Sequence, residues 1–218
     1  MVAGVLLSSL LASVWLGATG RHELTLGGMA LSQVGLWVGL AGSVVVAARW
    51  KGSGRLAVDF GARTRPVDVP IGLVAGVVAQ FGLVRLVAFV LSPLVGHPDV
   101  SQSAEKLADQ ARGVGVVGLV LFVVVGAPLV EELFFRGLLL RSLQRRMPDV
   151  PSVAISAVLF GFAHVQDLEA GALLVVIVSL VVLGIVLAVL AARTGRLGPA
   201  FWTHATFNAL TVAVVLTR

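Results

Sequence analysis

Apolar residues fill this chain in long blocks, separated by short polar stretches rich in arginine, glycine and proline. The blocks cover residues 2–18, 29–48, 70–96, 114–140, 151–167, 171–192 and 199–216. Each is about long enough to cross ~30 Å of hydrocarbon at 1.5 Å per residue. The pattern predicts an all-α polytopic membrane protein with about seven transmembrane helices in one bundle. Segment 2–18 lacks the basic leader and small-residue cleavage site of a signal peptide, so it is read as a retained helix. Val100, Ala104, Leu107, Ala108 and Ala111 share one helical face, which suits either a short interfacial helix over Val100–Arg112 or a solvated connection. Residues 49–69, the longest polar connection, are expected to be irregular. No repeat or change of composition divides the chain, and a single integral membrane domain is expected over 1–218.

Composition agrees with this pattern. The 218 residues are 58% hydrophobic and 12% charged, and the mean hydropathy is +1.02. Soluble domains carry roughly 25% charge. The absence of cysteine excludes disulfides, thiol proteases and thiolate metal sites. A net charge of +5 raises the question of nucleic acid, but the cations follow the loops instead. Arg49, Lys51, Arg55, Arg63, Arg65, Arg141, Arg145, Arg146, Arg193 and Arg196 fall on one side. Arg21, Lys106, Arg112 and Arg218 fall on the other, with six carboxylates. By the positive-inside rule the N-terminus is expected in the cytoplasm and the C-terminus outside. No nucleic-acid partner is expected. The Ala, Val, Gly and Arg usage points to a bacterial plasma membrane.

Ionisable residues inside apolar spans are costly and are functional candidates by default. The run Val130-Glu131-Glu132-Leu133-Phe134-Phe135-Arg136 places three of them in the fourth block. Glu132 and Arg136 are i,i+4 neighbours able to neutralise each other, while Glu131 points about 100° away and lacks that partner. Gly126 and Pro128 precede them, and a proline there predicts a kink. His164 closes Phe160-Gly161-Phe162-Ala163-His164 in the fifth block, and His204 and Asn208 share a face early in the seventh. His22 and His97 fall in loops. Arg85, in the third block, is expected to neutralise a helix carboxylate. Phe160 is expected to pack. A carboxylate, two histidines and an asparagine from three helices supply a base, a group to hold water and two oxyanion donors, the components of hydrolysis.

Together, Glu131-Glu132-x-x-x-Arg136, Phe160-x-x-x-His164 and His204-x-x-x-Asn208 resemble the motifs of the CAAX protease and bacteriocin-processing (CPBP, or Abi) intramembrane proteases, which include the Ras-converting CAAX endopeptidase. The resemblance spans 114–216, the expected catalytic core. It implies peptide-bond hydrolysis in the membrane, with Glu131 deprotonating a water held with His164. His204 and Asn208 would then stabilise the oxyanion, and Glu132 with Arg136 would shape the site or touch substrate. The substrate implied is a membrane-associated peptide or protein. Metal-independent chemistry is favoured, because a glutamate-activated water needs no metal and the sequence lacks H-E-x-x-H. The alternative is zinc or another divalent ion on Glu131, His164 and His204.

Two other readings compete. Proteins of this family are also associated with immunity and accessory roles, so a non-catalytic partner of another membrane protein is one. A small transporter or proton relay using Arg85, Glu131 and Glu132 is the other, weakened by the lack of a repeat.

Overall fold

The computed structural model describes residues 2–96, 98–100, 102–111, 113–165 and 168–217. In chain order its helices are α1 (Val2–Thr19), α2 (Leu26–Lys51), α3 (Leu56–Asp59), α4 (Asp68–Val95), α5 (Gln102–Gln110), α6 (Val114–Gln144), α7 (Asp149–Phe162), α8 (Ala170–Thr194) and α9 (Gly198–Leu216). Among the described residues, six of these are long and apolar enough to cross a membrane, namely α1, α2, α4, α6, α8 and α9. The protein is an all-α integral membrane protein.

The fifth apolar block departs from expectation. Read as 151–167, it forms a helix of only 14 residues, about 21 Å long. His164 causes the early stop. Its ring Nδ1 lies 2.7 Å from the carbonyl oxygen of Phe160, the acceptor that its own backbone N–H would use if the helix continued. That N–H turns instead to Gly161 O at 3.1 Å. His164 is therefore a turn residue just past the helix end. His97, Arg112, Asp167 and Arg218 lie outside the described residues.

Small residues set the close packing of α7 on α8. A methyl on Gly161 would stand 2.5 Å from Val181 Cγ2, and one on Gly184 would stand 3.1 Å from Ala157 Cα. Between α2, α6, α7 and α8 lies the core, where Val44, Phe135, Leu140, Phe160, Leu183 and Leu187 are buried.

The 49–69 connection is more ordered than its composition suggests. Ser53 donates its backbone N–H and hydroxyl to Asp59, at 2.9 Å each to Oδ1. Gly61 O and Arg63 O accept from Leu197 N and Gly198 N at 2.8 and 3.1 Å. Asp68, fully buried, accepts from Arg196 Nη2 at 2.6 Å and from Arg65 N at 2.8 Å. This clamp holds the start of α4 against the start of α9.

Two further expectations are settled here. Residues 102–110 are helical, although Ala104 and Leu107 of the apolar face lie outside the described side chains. Arg85 is exposed and bonds its own helix, donating from Nη1 to Phe81 O at 3.3 Å, with its guanidinium 5.4 Å from the Phe81 ring. The intramembrane acids of α6 face inward instead: Glu131 and Glu132 are both buried.

Candidate active site

The glutamates sit on an α-helical turn, Ala127–Glu132, between two π-helical stretches of α6, Leu121–Gly126 and Leu133–Leu140. The proline that predicted a kink is met by a change of hydrogen-bond register. Ala127 N–H already reaches back five residues to Phe122 O. In that register residue 128 would donate to Val123 O, but Pro128 has no N–H. Asn208 fills the gap from α9, its Nδ2 donating to Val123 O at 2.8 Å. Trp37 of α2 stacks on Phe122, with ring centroids 4.2 Å apart.

Glu132 is tied down on both sides. Its Oε1 accepts from Arg136 Nη1 at 3.0 Å and lies 3.0 Å from His204 Nδ1. Arg136 is fully buried, gives Nη2 to Gly184 O at 3.3 Å, and lies 4.2 Å over the Phe160 ring. The guanidinium thus reaches from α6 to α8 through an aromatic lid.

Glu131 faces the histidines. Its Oε2 is 3.4 Å from His164 Nε2 and 3.9 Å from His204 Nε2, and that buried oxygen makes no hydrogen bond. Proton placement follows from the partners. His164 Nδ1 faces a carbonyl and His204 Nδ1 faces a carboxylate, so each Nδ1 carries hydrogen. Both Nε2 atoms of the neutral rings then turn lone pairs toward Glu131 Oε2. Three acceptors in such proximity call for donors between them, such as a water beside one ring and a proton held on the other. His164 also marks the open side, its side chain 24% exposed against 4% for His204.

The structure therefore brings Glu131, His164 and His204 together and joins Glu132 and Arg136 to the same cluster. Asn208 lies one helical turn beyond His204 on α9, and one of its two amide hydrogens is committed to Val123 O. Phe160 does more than pack. Besides receiving His164 Nδ1, its ring meets Phe135, His204 and Arg136. Gly184 O and the Ser156 hydroxyl, which donates to Phe135 O at 3.2 Å, had no signal in the sequence beyond small residues in apolar helices. Asp68 did have one: an acid opening an apolar run, matched by a lone loop arginine. Among the described residues, no group of three or more His, Cys, Asp or Glu is arranged to hold a metal ion.

Comparison with known families finds one similarity. Residues 113–210 match the family model described as Rce1-like, type II CAAX prenyl endopeptidase. Over that stretch the chain is similar to the Rce1-like family. The Rce1-like segment begins one residue before α6 and ends within α9, so it includes every residue of the cluster. That similarity supports a CAAX-type protease kind of function. No curated protein and no solved structure matched the chain.

Proposed function

We propose that the chain hydrolyses peptide bonds of membrane-associated peptides or proteins with a water activated by Glu131. One observation carries this reading: Glu131 Oε2, buried and without a hydrogen bond, meets a histidine Nε2 from each of two other elements at 3.4 and 3.9 Å. A water between Glu131 and His164 gives its proton to the carboxylate as its oxygen attacks the substrate carbonyl carbon. The carbonyl oxygen gains negative charge and is met by a proton held on His204 Nε2, with Glu132 accepting from Nδ1–H of the same ring, and by the second N–H of Asn208. Glu131 then hands its proton to the amide nitrogen as the C–N bond breaks. Arg136 holds Glu132 in position from Nη1 at 3.0 Å. No step is routed through a metal.

The test is cleavage of a membrane-associated peptide library by the purified protein in lipid bilayers, with and without chelator. Glu131→Gln is expected to lower the rate about 10²–10⁴-fold, the usual contribution of a general base, with chelator leaving the wild type active. Loss with chelator makes a metal necessary and overturns the metal-free step. Equal rates for wild type and Glu131→Gln overturn the assignment of the base. If both folded proteins are inert, the non-catalytic partner role takes its place.

A further inference from the structure

At the arginine-rich end of α6 and α8 a cavity of about 100 Å³ lies between the helices, bounded by Arg136, Arg141, Gln144, Ala192 and Gly195. At about 30 Å³ per water, this is room for roughly three waters or one phosphate-sized group. The charged groups on its wall are all cationic. Arg136 has committed Nη1 to Glu132 and Nη2 to Gly184 O, while its Nε is buried with no partner. Arg141 donates Nη2 to Gly195 O at 2.8 Å, and Arg63 and Arg145 stand close enough to repel it. Asp149, which takes Gln144 Nε2 at 2.7 Å, is exposed and lies outside the wall. Glu132 balances Arg136 alone, which leaves the Arg63, Arg141 and Arg145 group in charge excess at this mouth.

We propose that this cavity binds a phosphate-type oxyanion, held by the Nε edge of Arg136 and the free N–H groups of Arg141. Depth favours such a guest. Arg141 lies nine residues beyond Glu132, about 13 Å along the helix, beside Gly195, where α8 ends. Basic pockets between helices at that level suit phosphate head groups, and a guanidinium edge matches two oxygens at once. The guest sits one side chain away from the candidate active site, since the same guanidinium holds Glu132, and Glu132 holds His204. Binding is independent of whether the chain is a protease.

The experiment uses the full-length protein and a thermal-midpoint titration. One arm adds inorganic phosphate in detergent. The other compares nanodiscs of phosphatidylcholine with nanodiscs containing phosphatidylglycerol. A rise in midpoint in either arm is expected, and the arm that responds identifies the source. Arg141→Gln should weaken the response about tenfold, the value of one charge-assisted hydrogen bond. Ala192→Leu, which fills the cavity while keeping every charge, should weaken it as much and serves should Arg141→Gln fail to fold. Arg145→Gln, on an exposed residue outside the wall, should change it less than about threefold. No response in either arm overturns the site. Equal losses for Arg145→Gln and Arg141→Gln also overturn it, because they indicate diffuse attraction to a basic surface.

Discussion

Asn208 stands in for a hydrogen that Pro128 lacks, and this substitution of partners can be tested energetically. Asn208→Ala leaves Val123 O without its 2.8 Å donor inside a half-buried helix contact. An unsatisfied acceptor of this kind costs about 1–3 kcal/mol. For a chain of this size each kcal/mol lowers the thermal midpoint by about 2–4 °C, so a fall of roughly 2–12 °C is expected. With Pro128→Ala, residue 128 regains an N–H that can reach Val123 O in the same register, and the loss of Asn208 should cost little. The four proteins form a double-mutant cycle, with thermal unfolding in one detergent as the assay. A coupling energy of about 1–2 kcal/mol is expected. Strict additivity, with Asn208→Ala equally costly in both backgrounds, would refute the idea that the asparagine replaces the missing backbone donor.

Arg136→Met should destabilise by about 3–5 kcal/mol, the cost of stranding the buried Glu132 charge, and Glu132→Gln/Arg136→Met should recover most of it by the same unfolding assay. Exchanging the two charges should not rescue folding, since a glutamate at 136 would turn toward Gly184 O; recovery by the swap would show that contact to be unimportant. Gly161→Ala should cost about 1–3 kcal/mol by overpacking against Val181 and Ile177 and should lower cleavage by displacing His164; an unchanged midpoint counts against the close α7–α8 packing. Asp59, half-buried, is held below the usual carboxylate range by the Ser53 backbone N–H. Its contribution is therefore present above the unfolded pKa and lost as pH falls through the lower folded value. The midpoint difference between wild type and Asp59→Asn should vanish in acid, and a pH-independent difference would argue against the bond.

What could be read from the sequence was local. Glu132 with Arg136 and His204 with Asn208 are one helical turn apart, so facing follows from the 3.6-residue period alone. The spans were legible for the same reason, because block length meets a fixed membrane thickness. The end of α7 was not, since the run stays apolar through Val165 and nothing marks Phe162 as a terminus. It depends on the His164 ring taking a carbonyl from its own backbone. The register change in α6 was equally hidden, being completed by a side chain from α9 some 80 residues later. Arg85 was misjudged because its partner is a backbone oxygen and a ring on its own helix, which leave no charge signature.

The shortness of α7 carries a consequence for the lipid. At about 21 Å against ~30 Å of hydrocarbon, it falls roughly 9 Å short, and an irregular turn cannot be left facing acyl chains. The bilayer must dimple toward Ala163 and His164, or water must fill the shortfall, and either response brings solvent to the open flank of Glu131. Membrane thickness then sets how wet that flank is. Short-chain lipids should leave the turn at the interface, and long-chain lipids should draw it under.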